Sequence, residues 1–290
     1  MLTRKMMFGC QFKNSFFRMA PKTCLSIVNM NMWAPSKEQL LCLFSLFDEK
    51  EIERCLAYRT QENCLHRLAG LLLVRHAFSK LFEGKELSLP TCFERSSHGK
   101  PFLPDAPDFQ FNISHNGNYT SVFAVRGFHA ICGLDMMELN SSRLPTSMIA
   151  AVSRKFSEQE QSFINNSESA EERRAKFLRI WCLKESYLKA KGYGLSVPLD
   201  SISFQFNHPN LTKDIAVLDT QIFEEGERVD VKFMELLFDN HILAVCWDKF
   251  APESSVEVLE PAEFLKTQNG VTNVDSPVMP LVNTFYEKPK

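Results

Sequence analysis

Two long stretches of helical periodicity, one in each half of the chain, limit most strongly what this sequence can fold into. From residue 60 to about residue 82 apolar residues recur at helical spacing, and residues 172–191 show a second long helical pattern. Short segments typical of β-strands surround both stretches. The order strand, helices, strands thus occurs twice, which predicts an α+β fold of two similar halves with a natural ligand site in the cleft between them.

The length and the positions of these segments define the predicted domains. The chain has 290 residues, 44% of them hydrophobic, which is enough for a complete core. The first strand is expected in TCLSIVNMNMW, so residues 1–23 form an N-terminal extension that is disordered or a targeting segment. Residues 24–125 and 126–250 form the two halves. The tail, residues 251–290, holds five prolines and few periodic signals and is predicted to be loosely ordered.

Composition limits the partners and the compartment. The formal net charge of -2 gives no overall basic field for nucleic acid, and no apolar run reaches the length of a membrane span, so neither partner is expected. Nine cysteines without a Cys-x-x-Cys pair favour a reducing compartment, and we expect a cytoplasmic protein in the cytosol. The residues before Glu38 include several basic ones and no acidic one, which leaves a mitochondrial location as the alternative.

Three side chains of the second half are candidates for chemistry. Asp135 lies near the end of the apolar strand ICGLDMM, where its carboxylate could reach the mouth of a cleft. Glu185 and Lys189 are four residues apart and share one helical face within WCLKESYLKAKGYGL. Each feature has a commoner explanation, because an Asp after Gly often forms a turn and an exposed helical ion pair contributes only a few tenths of a kcal/mol. Neither feature decides the function by itself.

Two further segments provide groups that suit a phosphate ligand. RSSHGKPFL is a basic, glycine-containing turn in which Arg95, Lys100 and the intervening amides could meet a phosphate. FNISHNG places Ser114 and His115 at a strand end before an Asn-Gly turn, although a turn or core role for His115 is the commoner one. Together with the carboxylates, which suit Mg²⁺ or a proton, these groups indicate a phosphoryl-type transfer.

Five segments of the chain resemble a known family. GKPFL, FNISH, GLDMM, FSEQE and WCLKESYLKAKGYGL, in this order and at similar separations, resemble the 4'-phosphopantetheinyl transferases of the larger type with two fused halves. The likeness runs from about residue 25 to about residue 250. The resemblance implies the fold of that family, in which two α+β halves are related by a pseudo-two-fold axis and the active site lies in the cleft between them.

The resemblance also implies an activity, that of a holo-[acyl-carrier-protein] synthase. Such an enzyme transfers the 4'-phosphopantetheine arm of coenzyme A to a serine of an apo acyl or peptidyl carrier protein, with Mg²⁺, and releases adenosine 3',5'-bisphosphate. Matched to the family motifs, Asp135 and Glu185 would bind the metal, Glu185 would also deprotonate the serine, and Lys189 would contact the bridging or leaving phosphate. The expected partners are carrier domains of the fatty acid synthase type or similar, and the fused halves suggest a monomer.

A larger set of residues is implied to contact coenzyme A. The segment from Arg95 to Lys100 would hold the 3'-phosphate and adenine side, and His115 would also meet the 3'-phosphate. The full set comprises Arg54, Arg95, Ser96, Ser97, His98, Gly99, Lys100, Asn112, Ile113, Ser114, His115, Asp135, Glu185, Ser186, Tyr187, Leu188 and Lys189.

One position departs from the family pattern. Many bacterial relatives carry Asp-x-Glu where this chain has Asp135, Met136 and Met137, so a third protein ligand for the metal is missing. Because Mg²⁺ readily keeps water ligands, we expect water in place of that carboxylate.

Two other functions remain open at this stage. A non-catalytic module of the same fold that binds coenzyme A or a carrier protein is the alternative, although it has less need of a proton-accepting carboxylate. A metal-dependent nuclease also uses Asp, Glu and Lys, but its usual Glu-x-Lys spacing belongs to a strand, whereas Glu185 and Lys189 have helical spacing.

Overall fold

The structure, a computed structural model, describes residues 4–7, 23–31, 33–142, 144–248, 255–261, 263 and 278–290. The α-helices of this part of the chain are α1 Lys37–Phe44, α2 Glu49–Leu56, α3 Gln61–Leu81, α4 Thr146–Ser153, α5 Glu158–Asn165, α6 Ala170–Lys191 and α7 Met279–Tyr286. The β-strands are β1 Arg4–Met7, β2 Thr23–Asn29, β3 Glu94–Arg95, β4 Pro101–Phe102, β5 Phe109–Asn116, β6 Tyr119–Arg126, β7 Cys132–Glu138, β8 Ile202–Gln205, β9 Gln221–Glu224, β10 Glu227–Arg228, β11 Lys232–Phe238, β12 His241–Trp247 and β13 Ser255–Leu259. The fold is α+β, as the sequence predicts.

The described residues divide into two compact units. Unit 1 comprises those within 1–109, 118–124 and 252–290, and unit 2 those within 110–117 and 125–251. The units are not the contiguous halves that the sequence predicts. Residues 110–116 of β5 and Gly117 belong to unit 2, and the described residues within 252–290 belong to unit 1.

Unit 2 is built around helix α6 and an antiparallel sheet of the order β11-β12-β7. The helix packs on β7 so closely that a Cβ atom on Gly133 would lie 1.8 Å from the carbonyl oxygen of Ser186. Only glycine therefore fits this position of β7. Because side chains two residues apart on a strand share a face, Asp135 projects from the same face of β7 as Gly133. The close packing thus places Asp135 beside the C-terminal part of α6, where Lys189 contacts it.

The boundaries of α6 follow from its end residues. Ser169 caps the first turn by accepting a hydrogen bond from the backbone N–H of Glu172, and Gly192 ends the helix in the left-handed conformation with φ of 72°. Helix α5 begins with a capping box, in which Ser157 and Glu160 bind each other's backbone N–H groups.

Unit 1 is built around helix α3 and strands in the order β1-β13-β2-β6. Strand β2 is almost entirely buried, and α3 packs against it with apolar side chains on several faces. Because α3 is buried on several faces, its sequence has apolar residues at helical spacing and predicts a long buried helix. At the end of α3 the rings of Phe78 and Phe82 stack with their centroids 4.2 Å apart, and Phe109 packs edge-on against both.

The tail contains more structure than its composition predicts. Strand β13 pairs in parallel with β2, with Val256 opposite Leu25, and α7 packs against α1, α2 and α3. The prediction of a loosely ordered tail is therefore wrong for these two segments. Prolines at 261 and 280 lie after the strand and inside the first turn of α7, positions that need no N–H donor.

The predicted N-terminal extension is described only in part. Residues Arg4–Met7 form strand β1, which pairs antiparallel with β13, whereas residues 8–22 lie outside the described part of the chain. None of the helices that the structure describes is both long enough and apolar enough to span a membrane.

Candidate active site

Three of the predicted site residues meet in unit 2, where strand β7 faces helix α6. We call Asp135, Glu185 and Lys189 the carboxylate–lysine cluster. The Lys189 ammonium donates to Asp135 Oδ1 at 2.6 Å and to the carbonyl oxygen of Leu134 at 3.1 Å. The hydroxyl of Ser114 donates to the same Asp135 oxygen at 3.1 Å. These bonds fix the carboxylate of Asp135 against the helix.

The second oxygen of Asp135 has a different environment. Asp135 is buried, yet its Oδ2 atom has no hydrogen-bond partner among the described residues. A buried carboxylate oxygen without a partner is costly, so its presence points to a ligand that binds there. Carboxylate oxygens are the ligands that Mg²⁺ prefers, and the residues of this cluster therefore fit the metal that the sequence implies.

The carboxylate of Glu185 is half-buried, and its pKa is raised. Burial raises its pKa above the usual range, the negative charge of Asp135 raises it further, and Lys189 only partly offsets these effects. A raised pKa suits a group that must accept a proton near neutral pH. Among the described residues, the structure shows no group that donates a hydrogen bond to this carboxylate, which leaves its oxygens open to a ligand.

Lys189 remains a cation in this position. Burial acts to lower the pKa of its ammonium group, but the carboxylates of Asp135 and Glu185 outweigh this effect and raise the pKa. Glu185 and Lys189 thus have the shared helical face that their spacing predicts, together with a strand partner, Asp135, that spacing alone could not identify. Within the described residues, no group of three or more His, Cys, Asp and Glu side chains is arranged for a metal ion, so any metal here would take two carboxylates and other oxygen ligands.

Strand β5 supports β7 through alternate side chains. Asn112 Oδ1 accepts from the backbone N–H of Leu134 at 2.9 Å, and Asn116 Oδ1 accepts from the N–H of Glu138 at 2.8 Å. Because Ser114 lies between the two asparagines at strand spacing, all three face β7. The predicted coenzyme A residues Asn112 and Ser114 therefore position Asp135. Asn116 is not among the predicted site residues, although its spacing from Asn112 places it on the same face of β5.

The other predicted residues of β5 lie differently. His115 is exposed and Ile113 is half-buried, and their odd-numbered positions place both on the face of the strand opposite to Ser114. An exposed histidine agrees with a role in ligand binding better than with a core role. Its predicted contact with the 3'-phosphate stays a prediction.

Three residues of the α6 motif contact the core. Ser186 is buried and donates to the carbonyl oxygen of Leu183 in its own helix. Tyr187 is buried and donates from its hydroxyl to Glu224 at 2.8 Å, and Leu188 is buried in the apolar cluster of unit 2. These three side chains are buried in unit 2, and their predicted contact with coenzyme A stays a prediction. Because a helix turns about 100° per residue, Ser186 and Tyr187 lie on other faces of α6 than Glu185, whereas Leu188, three residues further on, lies nearer to its face.

Met137 occupies the position of the missing third ligand. It shares the face of β7 with Asp135, is half-buried, and its sulfur lies 3.6 Å from Nδ2 of Asn116. A thioether is a poor ligand for Mg²⁺, so water at this position stays the expectation.

A second cluster of charged residues lies in unit 1. We call Arg54, Arg67 and Arg95, together with the acid Glu51 that they surround, the arginine cluster. Arg67 donates to Glu51 Oε2 at 2.7 Å, Arg95 donates to Oε1 at 3.0 Å and to Oε2 at 3.2 Å, and Arg54 forms an ion pair with Oε1. Three elements, α2, α3 and β3, thus meet at one carboxylate. Arg54 and Arg95 are among the predicted site residues, whereas Glu51 and Arg67 are not.

The predicted phosphate turn follows directly after Arg95. Residues 96–100 connect β3 to β4, and Gly99 adopts φ of 79°, which the turn requires. The backbone N–H of Ser96 donates to Lys100 O at 3.0 Å, and the N–H of Lys100 donates to the Ser96 hydroxyl at 3.2 Å. The exposed side chains of Ser97 and His98 interact with each other, 3.1 Å apart. The turn is therefore ordered by its own bonds and carries its polar groups on the surface.

Comparisons with known proteins cover both clusters. The family model described as 4'-phosphopantetheinyl transferase, N-terminal, matches residues 31–126, which include the arginine cluster. The model of the 4'-phosphopantetheinyl transferase superfamily matches residues 131–246, which include the carboxylate–lysine cluster.

Individual curated proteins show the same likeness. The chain is 30% identical over 224 residues to the L-aminoadipate-semialdehyde dehydrogenase-phosphopantetheinyl transferase of Xenopus laevis, covering 73% of this chain and 72% of the relative. Identity to the protein of that name from Homo sapiens is 28% over 221 residues, or 72% of this chain and 69% of the relative. The 4'-phosphopantetheinyl transferase Sfp of Bacillus subtilis (strain 168) is 30% identical over 174 residues, which is 59% of this chain and 72% of the relative.

Proposed function

The chain belongs to the 4'-phosphopantetheinyl transferase family, which transfers the phosphopantetheine arm of coenzyme A to carrier proteins, and we propose that it does so by a Mg²⁺-dependent reaction at the carboxylate–lysine cluster. One observation supports this proposal most strongly. One carboxylate oxygen of Asp135 binds Lys189, and the other is buried and has no hydrogen-bond partner among the described residues. Glu185 is close enough to interact with Asp135 electrostatically. This arrangement suits a metal ion and a phosphate at the same place.

The metal would be held by Asp135 Oδ2 and the Glu185 carboxylate. When bound there, Mg²⁺ would neutralise charge on the pyrophosphate of coenzyme A. Its remaining ligands would be water and phosphate oxygens, because the chain offers a thioether at Met137 where relatives offer a carboxylate.

The protein's own groups account for the proton and the leaving group. Glu185, whose pKa is raised, accepts the proton of the carrier's serine hydroxyl, directly or through water. The serine oxygen forms a bond to the phosphorus that bears the pantetheine arm. The bond from this phosphorus to the bridging oxygen breaks, and adenosine 3',5'-bisphosphate leaves with that oxygen. Lys189, held as a cation by Asp135, stabilises the charge that develops on the leaving phosphate.

The arginine cluster and the turn that follows it are assigned to coenzyme A. Three guanidinium groups and one carboxylate give the cluster two net positive charges, and Lys100 adds another on the neighbouring turn. Arginine forks and backbone amides are suited to a phosphate monoester such as the 3'-phosphate. The expected partner is an apo acyl or peptidyl carrier protein of the fatty acid synthase type or similar, and the enzyme is proposed to act as a monomer.

Mass spectrometry of a carrier protein tests the proposed function. The purified protein is incubated with coenzyme A, Mg²⁺ and an apo carrier protein. The expected result is a mass increase of one phosphopantetheine group on the carrier, which is lost when EDTA removes the metal. A protein that binds coenzyme A but leaves the carrier mass unchanged would instead be a non-catalytic binding module of the same fold.

A further inference from the structure

Glu51 is an unusual residue for the surface of helix α2. It lies in the first turn of a short, charged helix, yet its side chain has no exposure to solvent. Both of its oxygens accept hydrogen bonds from arginines, one from Arg54 and Arg95 and the other from Arg67 and Arg95. A carboxylate has about four acceptor sites, so the acceptor capacity of Glu51 is filled entirely by guanidinium groups.

The charge state of Glu51 supports this arrangement. Burial acts to raise the pKa of its carboxyl group, but Arg67 and Arg95 outweigh burial, and the pKa lies below its usual range. Glu51 is therefore ionised at neutral pH. An ionised buried carboxylate is stable only because the three arginines compensate it, and it restricts where their guanidinium groups can lie.

The side chains of two of the arginines are partly exposed to solvent. Each guanidinium has five N–H groups, and the ion pairs with Glu51 use one or two of them. The side chains of Arg54 and Arg95 are 43% and 24% exposed, whereas Glu51 lies beneath them with none. A ligand that approaches from solvent would therefore meet N–H donors before it meets the carboxylate.

We propose that Glu51 is a positioning residue for the phosphate monoester of coenzyme A, and that Arg67 is a third cation of the same site. This inference rests on the proposed function. Three long arginine side chains would otherwise repel one another and lose rotamer freedom when a phosphate binds. Glu51 offsets both costs before the ligand arrives, because it holds the guanidinium groups together in the unliganded protein.

The proposal can be separated from a simple charge effect because the two predict opposite signs. If the cluster acts only through its net charge, removing the carboxylate raises that charge from two to three, and coenzyme A should bind more tightly. If Glu51 acts by positioning, its removal lets the guanidinium groups separate, and binding should weaken although the net charge has increased. Glu51→Gln, which has nearly the same shape as glutamate, is the variant that distinguishes these cases.

Glu53 provides a matched control on the same helix. It is exposed, and in the described part of the chain it forms no ion pair with an arginine. Glu53→Gln therefore makes the same change in charge a short distance away without altering the bonds inside the cluster. Any general effect of a more positive helix on coenzyme A binding appears in this variant as well.

Calorimetric titration with coenzyme A and with dephospho-coenzyme A, which lacks the 3'-phosphate, tests the proposal without requiring transfer. We expect Glu51→Gln to weaken coenzyme A binding about tenfold, as loss of a supporting residue behind a ligand commonly does, and to leave dephospho-coenzyme A binding nearly unchanged. Glu53→Gln should bind both as the original protein does. Equal or tighter binding of coenzyme A by Glu51→Gln would overturn the positioning role.

Two further measurements keep the result interpretable. In the carrier assay, Glu51→Gln should raise the KM for coenzyme A and leave kcat at saturation nearly unchanged, a division that a general loss of structure would not produce. If Glu51→Gln does not fold, Arg67→Met tests the same cluster, and an unchanged preference for coenzyme A over dephospho-coenzyme A would contradict the proposal. A wild-type protein that binds coenzyme A but transfers nothing would refute the proposed function while leaving the role of Glu51 testable by calorimetry.

Discussion

The two clusters both contain a buried carboxylate beside basic side chains, yet their excess charges have opposite signs. In the arginine cluster, one carboxylate meets three guanidinium groups, and every oxygen of Glu51 is bonded. In the carboxylate–lysine cluster, two carboxylates meet one ammonium, and one oxygen of Asp135 has no partner among the described residues. The first has two excess positive charges and suits an anion, whereas the second has one excess negative charge and suits a metal cation.

The pKa values of the two glutamates are shifted in opposite directions. Burial raises the pKa of Glu185 with help from Asp135, whereas in Glu51 the arginines overcome the effect of burial and lower the pKa. A carboxylate that holds other groups in place benefits from a permanent charge. One that must accept a proton benefits from a raised pKa. The comparison therefore assigns binding to one cluster and reaction to the other.

The largest effect is expected from Glu185→Gln. The amide cannot accept the serine proton and is a weaker metal ligand, so kcat should fall about 10²–10⁴-fold. The rate of carrier modification measures this loss, and circular dichroism checks the fold. Glu171→Gln, an exposed position on the same helix, is the control and should transfer normally. Near-wild-type turnover of Glu185→Gln at saturating Mg²⁺ would refute its role.

Lys189→Met should have the next largest effect. It removes the cation that contacts Asp135 and that is assigned to the leaving phosphate, so kcat should fall on the order of 10²-fold. The same change leaves a buried carboxylate with fewer partners and should lower the free energy of unfolding by about 1–3 kcal/mol. Thermal unfolding and the transfer assay measure the two effects. Arg173→Met, an exposed change of the same charge on α6, should alter neither.

Charge removal beside the arginine cluster should change binding more than rate. Arg95→Ala and Lys100→Ala each remove a proposed phosphate contact and should raise the KM for coenzyme A about tenfold with a smaller change in kcat. The exposed Arg59→Ala is the control. Equal use of coenzyme A and dephospho-coenzyme A by the unmodified protein would show that the 3'-phosphate contacts are misassigned.

The pH dependence of stability should have opposite signs at the two glutamates. The folded-state pKa of Glu51 is lowered, so its charge stabilises the fold above the unfolded value of about 4.5, and this stabilisation is lost as pH falls through the folded pKa. The folded-state pKa of Glu185 is raised, so its contribution is favourable below about 4.5 and is lost as pH rises through the folded pKa.

Urea unfolding in EDTA measures this difference. At neutral pH, Glu51→Gln should be less stable than the original protein, and Glu185→Gln should be more stable. Both differences should shrink as the pH is lowered through the range in which the glutamates bind protons. A change of the same sign for both variants at neutral pH would contradict the contrast between the clusters.

The smallest effect is expected at Met137. Met137→Glu places a carboxylate on the same face of β7 as Asp135 and should lower the half-saturating Mg²⁺ concentration a few-fold, because it replaces water by a charged oxygen ligand. Met137→Leu, which keeps the apolar shape, should leave that concentration unchanged. An unchanged value for Met137→Glu would mean that this side chain does not face the metal.

The sequence predicts the local elements well because local signals specify them. The helical spacing locates α3 and α6, Ser157 and Glu160 predict the capping box of α5, and Gly192 marks the end of α6. The tail could not be predicted in the same way. Strand β13 is defined by its pairing with β2, more than 200 residues away in the chain, which composition does not reveal.

The two clusters also depend on contacts between residues that are distant in the chain, which local patterns do not reveal. The spacing of Glu185 and Lys189 predicts their common face, but the contact with Asp135 depends on Gly133 admitting α6 close to β7. Glu51 was missed because its partner Arg95 lies 44 residues away. Tyr187 shows a further limit, because a motif that is continuous in sequence is spread around the circumference of a helix, and its hydroxyl contacts Glu224, which the spacing does not reveal.

Single-turnover transfer to a carrier protein, measured over a range of coenzyme A concentrations, tests the division between binding and reaction most directly. The original protein is compared with Arg95→Ala and Glu185→Gln under saturating Mg²⁺. The account predicts that Arg95→Ala reaches nearly the original maximal rate at higher coenzyme A concentrations, whereas Glu185→Gln stays slow at every concentration. If coenzyme A restored the rate of Glu185→Gln, or if Arg95→Ala stayed as slow as Glu185→Gln at saturation, the two clusters would not have the separate roles assigned to them.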